Sequence, residues 1–135
     1  MDYKTFKNEL ENYYSYKKEI SKLKEEIENI IYEMSGVKAI NYQKIPMNAN
    51  PELAHERLLE LIEKKEQKEK EIERLSLNIK AVENTLSKMS ANDKQMCIDL
   101  IAKKGNVYKV GYEYGYSKSG MWSRIKREIE HILRD

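Results

Sequence analysis

Cysteine is all but missing from this chain, and the one present, Cys97, has no partner for an internal disulfide. Stability therefore has to come from packing. No other metal-ligand type clusters near Cys97, and His55 and His131 stand far apart without partners at ligand spacing, so no metal site is expected. Within Met96-Cys-Ile-Asp-Leu-Ile the cysteine reads as a small buried hydrophobe, and both histidines read as surface residues. With two prolines and five glycines there is little material for a loop-rich or β fold. Charged residues at 36% and hydrophobic ones at 40% instead give a helical composition near the coiled-coil extreme. No apolar run approaches the ~20 residues of a membrane span. The opening Met1-Asp-Tyr-Lys-Thr-Phe has no basic stretch followed by an apolar core, so a cytoplasmic chain without membrane contact is expected. No nucleophile–base pair or phosphate loop is visible either, so neither catalytic residues nor a cofactor are expected.

A strong excess of one charge is also missing from the whole chain, which is only +2, but the balance is uneven along it. Residues 1–50 carry eight basic and eight acidic groups, residues 51–89 eight and nine, and residues 90–135 nine and six. From Lys103 to Arg127 there are seven basic groups (Lys103, Lys104, Lys109, Lys118, Arg124, Lys126, Arg127) against the single acid Glu113. Only this C-terminal part has a reason to seek a polyanion.

What the chain does have is helical periodicity. Phe6, Leu10, Tyr13, Tyr16, Ile20, Leu23, Ile27, Ile30 and Met34 recur by threes and fours, which predicts one long helix from Tyr3 to Met34. Ala54, Leu58, Leu61, Lys65, Lys68, Ile72, Leu75, Ile79, Val82, Leu86 and Met89 alternate four and three, a heptad pattern. Lys65 and Lys68 weaken that seam, or send their ammonium groups across it to water. Between the runs, residues 35–50 contain a helix-stopping Ser35-Gly36, a proline and three Asn; Asn50 is placed to cap the next helix, with Pro51 in its first turn. If the helices fold back on each other, Met34 meets Ala54, Ile20 lies near Lys68, Tyr13 near Leu75 and Phe6 near Val82. Pairing with a second chain as a homodimer explains the heptads equally well. The connector's Val37, Ile40, Tyr42, Ile45 and Met47 are too apolar for a free linker and read as a cap on the hairpin tip or a partner-binding tip.

After the coiled segment, Ser90 is placed to cap a third helix from about Ala91 to Lys104, with Asp93 in its first turn, Met96, Cys97, Leu100 and Ile101 buried, and Gly105-Asn106 ending it. The segment Val107-Tyr-Lys-Val-Gly-Tyr-Glu-Tyr-Gly-Tyr-Ser-Lys-Ser-Gly-Met-Trp-Ser-Arg-Ile-Lys126 then reads as two helices about a tight turn. Gly111 allows the helices to cross closely and Gly115 can take the left-handed conformation that ends the first of them. Ser117 caps the last helix, about residues 117–133. The expected fold is all-α: a long antiparallel two-helix coiled-coil hairpin (1–89) followed by a small helix-turn-helix domain (90–135). Its exposed face would comprise Ser117, Lys118, Ser119, Trp122, Ser123 and Lys126, with Arg127 just beyond, where Ser and Lys can bond base edges and phosphates in a major groove. Trp122 either packs against a thymine methyl or sugar or turns inward as core. Lys103, Lys104 and Lys109 flank the motif and suit phosphate contacts.

The stretch from Ser90 through Asn106-Val-Tyr-Lys-Val-Gly-Tyr-Glu-Tyr-Gly-Tyr-Ser-Lys-Ser-Gly-Met-Trp-Ser-Arg-Ile-Lys to Leu133 resembles the region of bacterial sigma factors that reads the promoter −35 element. The whole chain, including Gly36-Val-Lys-Ala-Ile-Asn-Tyr and the charged helix from Pro51, resembles phage and prophage regulators of the ArpU/RinA type. The resemblance implies a DNA-binding transcriptional regulator of phage late or packaging genes, with double-stranded DNA and RNA polymerase as partners. Gly120 stands where such helices have a better helix former, and Arg124 where an apolar residue is usual, which leaves Ser123 or Arg124 as base reader. A DNA-packaging recognition subunit and a coiled-coil interaction protein without DNA binding are the alternatives.

Overall fold

The structure is a computed structural model, which describes residues 1–42 and 51–134, with the side chains of 38–42 and of Pro51 left out. The described residues form five helices: α1 (Tyr3–Tyr42), α2 (Pro51–Ser87), α3 (Ala91–Ala102), α4 (Val107–Tyr114) and α5 (Lys118–Arg134). Among the described residues there is no strand, and no helix is long and apolar enough to cross a membrane.

The two long helices fit an antiparallel hairpin. Their stripes are the covered positions: Phe6, Leu10, Tyr13, Leu23 and Ile30 are buried on α1, and Leu61, Leu75, Ile79, Val82 and Leu86 on α2. The register differs from the expected one. The Tyr13 hydroxyl donates to Glu83 at 2.7 Å instead of Tyr13 lying by Leu75, and Lys68 reaches Glu26 at 2.6 Å instead of lying by Ile20. The cause is the length of α1. It does not stop at Ser35-Gly36 but continues to Tyr42, so the fold-back point moves along the chain. The Ser35 hydroxyl donates to the Ile31 carbonyl one turn back at 3.1 Å, a bond compatible with an unbroken helix. Glycine costs a helix only ~1 kcal/mol relative to alanine, too little to end one of this length. The two seam lysines bridge outward: Lys68 to Glu26 across the pair, Lys65 to Glu69 along α2 at 2.8 Å. Ile40, Tyr42, Ile45, Met47 and Asn50, expected as cap, tip or helix cap, lie outside the residues whose side chains are described.

The chain divides into two compact units, and the division does not fall at residue 89. One unit comprises residues 19–74; the other takes in residues 1–18 and 75–135. Most of the core is in the second. There the start of α1 and the end of α2 supply Phe6, Leu10, Val82 and Leu86, Met89 follows just beyond α2, and the three short helices supply Met96, Cys97, Leu100, Val110, Met121, Ile125 and Ile129, all buried. Cys97 is fully buried and its thiol is pushed up to about 12 by that burial, so it is the inert hydrophobe its setting suggested.

Both turns among the short helices close in the same way. After α4, the Tyr116 amide donates to the Gly111 carbonyl (2.8 Å) and the Gly115 amide to that of Tyr112 (3.2 Å), with Gly115 at φ +77°. This pair of bonds is a Schellman motif. After α3, the Gly105 amide bonds to the Leu100 carbonyl (2.8 Å) and the Lys104 amide to that of Ile101 (3.0 Å). Here two successive residues are left-handed, Lys104 (φ +57°) and the expected glycine, Gly105 (φ +82°), and α3 ends at Ala102. Caps differ in the same detail. Asn106 accepts from the Lys109 amide (3.2 Å) and Ser117 from the Gly120 amide (3.1 Å), as their side-chain type favours. Ser90, expected to cap α3, instead donates its hydroxyl to Asp93 (3.0 Å), while its own amide is taken by Glu128 (2.8 Å).

Candidate nucleic-acid interface

α4 and α5 are joined by only three residues, and the closeness of the join depends on Gly111. A Cβ placed there would come to 2.7 Å of the Tyr116 carbonyl oxygen and 3.8 Å of the Met121 sulfur. With Gly111 of α4 pressed against the turn and Met121, Ile125 and Ile129 fully or almost fully buried, α5 has one rotational setting, and that setting decides which side chains face out.

Lys118, Ser119, Ser123 and Lys126 face solvent, with Ser117 just ahead of them. They line a single open groove of about 640 Å³ together with Trp122. Trp122 is only 6% exposed, so of its two expected orientations it takes the inward one and forms the floor. Three residues from elsewhere complete the groove: Tyr3 and Lys7 of α1, and Tyr108 of α4. Lys7 lies over the Trp122 ring (4.9 Å to its centre), Lys118 over Tyr108 (5.3 Å) and Lys126 over Tyr3 (5.9 Å). Among the described residues, none of these three lysines forms an ion pair with a carboxylate.

Arg124 is placed differently. Its Nε donates to Asp93 at 2.7 Å and its Nη1 to the Tyr116 hydroxyl at 3.0 Å, and the Asp93 carboxylate, itself 5% exposed, holds the guanidinium above its ordinary pKa. The guanidinium thus clamps α5 to the first turn of α3, and of the pair Ser123 and Arg124 it is Ser123 that faces outward. Arg127 lies further round α5, in a mixed-charge groove with Asp93, Glu128, Glu130 and His131, away from the lysine groove. Lys103 and Lys109 are exposed at the end of α3 and on α4, and Lys104 rests over the Tyr14 ring at 5.1 Å. The structure therefore gathers six of the eleven expected positions and separates Arg124, Arg127, Lys103, Lys104 and Lys109 from them.

Tyr3 and Lys7 were missed because residues 1–89 looked like charge-balanced scaffold. Their signal was faint but present: Tyr3, Lys7, Glu11 and Tyr14 form a row at three- and four-residue spacing beside the Phe6–Leu10 stripe. The Tyr108 ring stands 70% exposed on α4, one residue before Lys109. No group of three or more His, Cys, Asp or Glu side chains suited to a metal ion occurs among the described residues.

No protein-family model matches the sequence, and comparison with curated proteins and with solved structures gives no match.

Proposed function

We propose that the chain is a sequence-specific double-stranded-DNA-binding transcriptional regulator in which α4 and α5 act as a helix-turn-helix and the start of α5 enters the major groove. The carrying observation is the open groove along α5, where Lys118 and Lys126 stand beside Ser119 and Ser123 with no carboxylate paired to the lysines among the described residues. Serine and lysine can hydrogen-bond base edges and phosphate oxygens, and a helix this size fits the ~12 Å width of a major groove. The tight Gly111 turn and the Arg124–Asp93 clamp support the reading because a base-reading helix has to be held in one setting. Lys103, just past the end of α3, and Lys109, on α4, suit phosphates at the flank. The resemblance to ArpU/RinA-type regulators and to the −35-reading region of sigma factors extends the proposal to phage late or packaging genes, with RNA polymerase as a further partner.

Selection of bound duplexes from a random library by the full chain tests this. An enriched motif is the expected result, and two half-sites within it would mark a dimer. Recovery of unenriched sequence after repeated rounds would refute sequence-specific recognition.

A further inference from the structure

Lys7 and Tyr3 belong to the first turns of α1, far in sequence from α5, yet they form one wall of the groove whose other wall is α5. We infer that this groove is a seat for the phosphodiester backbone of the bound strand, with Lys7 of α1 as a phosphate contact alongside Lys118 and Lys126. The inference rests on the DNA-binding reading of α5 and extends its footprint onto the long helix.

Four observations carry it. The ammonium groups of Lys7, Lys118 and Lys126 come from two helices to one cavity, each lies over an aromatic ring, and none is ion-paired to a carboxylate among the described residues. Such ring contacts are worth only ~0.5–1 kcal/mol at exposed sites, so they orient the lysines without holding them against a phosphate. The α1 wall is rigid: Phe6 and Leu10 are 0% and 1% exposed, and Asp2 caps the helix by accepting from the Thr5 amide at 2.8 Å. On the other wall Ser117, just ahead of α5, carries a hydroxyl that can donate to a phosphate oxygen, which only accepts, and this leaves Ser119 and Ser123 to base edges. Scale also fits. Lys118 and Lys126 are eight residues apart, roughly 12 Å of helix at 1.5 Å per residue, and a strand carries one phosphate per ~3.4 Å of duplex axis.

Trp122 is the chain's one tryptophan and lies directly under Lys7, so its emission reports on this groove. The test titrates the full chain, as wild type, Lys7→Gln, Lys7→Arg and the pair Lys118→Gln with Lys126→Gln, with a labelled 20-base-pair duplex over a salt series. Anisotropy and tryptophan emission are both recorded, and polyglutamate serves as a competitor. Lys7→Gln should lower the slope of log affinity against log salt by about one and weaken binding severalfold at fixed salt. Lys7→Arg should keep the wild-type slope. Duplex should shift the Trp122 emission in the wild type, and the shift should reverse with salt. If both Lys7 variants keep the wild-type slope while the Lys118/Lys126 pair loses affinity, α1 lies outside the footprint and the inference falls while the DNA reading stands. Equal competition by polyglutamate at matched ionic strength would assign the groove to an acidic protein surface. Absence of duplex binding by the wild type at the lowest salt would overturn both.

Discussion

Gly111→Ala is the substitution for which the structure gives the clearest magnitude. The new methyl carbon would stand 2.7 Å from the Tyr116 carbonyl oxygen, a distance at which something must move, and the neighbour is backbone rather than a flexible side-chain end. The Tyr116 peptide is itself tied to the Gly111 carbonyl by a 2.8 Å hydrogen bond, so relief requires reopening the turn between α4 and α5. Overpacking of this kind costs ~1–3 kcal/mol, and the better helix propensity of alanine returns ~1 kcal/mol. Because the clash is with backbone, the upper part of that range applies, for a net loss of about 1–2 kcal/mol. In a chain of this size that is roughly 3–8 °C in Tm, measurable by circular dichroism at 222 nm. Gly36→Ala is the matched control: nothing lies within 4 Å of its added Cβ, and it sits inside α1, so a gain of ~0.5–1 kcal/mol is expected. The same chemical change should act with opposite sign at the two positions. A Gly111→Ala protein as stable as the wild type would refute the close approach on which the setting of α5 rests.

Arg124→Met should destabilise by about 1–3 kcal/mol, less than the ~3–5 kcal/mol of a fully buried pair because the arginine side chain is 40% exposed. By loosening the setting of α5 it should weaken binding to the selected duplex without changing which sequence is selected, and selection of a different sequence by this variant would show that Arg124 itself reads DNA. Lys104→Gly should stabilise by ~1 kcal/mol, since lysine at φ +57° carries the left-handed penalty that glycine avoids; chemical denaturation giving a lower midpoint would contradict the turn geometry. The Tyr114 phenol donates to Asp99 at 2.5 Å, which raises its pKa to about 12 from an ordinary 10.0. The raised value means that this contribution is complete below pH 10 and is lost as pH rises towards 12. Denaturant midpoints measured from pH 9 to 12 should therefore fall more steeply for the wild type than for Tyr114→Phe, and parallel curves would refute the bond.

The parts of this fold that were legible in the sequence are those decided within a turn or two of helix. Apolar spacing marked both long helices, Gly115 marked the end of α4, and Ser117 marked the start of α5, whereas Asn106, expected only to end α3, also caps α4. Ser35-Gly36 misled because a stop signal was weighed without the length of helix opposing it. Register then followed α1 beyond its expected end, and the expected side-chain pairs moved with it. At the candidate site, the serines and lysines of α5 were visible because they share one helical face. The fates of Trp122 and Arg124 were not, because they depend on Lys7 and Asp93, residues 115 and 31 positions away in the chain. For the same reason the compact unit that holds α5 draws on both ends of the sequence, which no local composition shift announces.

Contact between the lysine face of α5 and duplex DNA is read directly by the salt dependence of duplex binding by the full chain. With five or six basic side chains at phosphates, log affinity should fall against log salt with a slope of about −4.5 to −5.5. Lys118→Ala with Lys126→Ala should bring that slope about two units closer to zero and weaken binding by ~2 kcal/mol or more. Duplex binding that ignores salt, or that the double substitution leaves intact, would contradict the account.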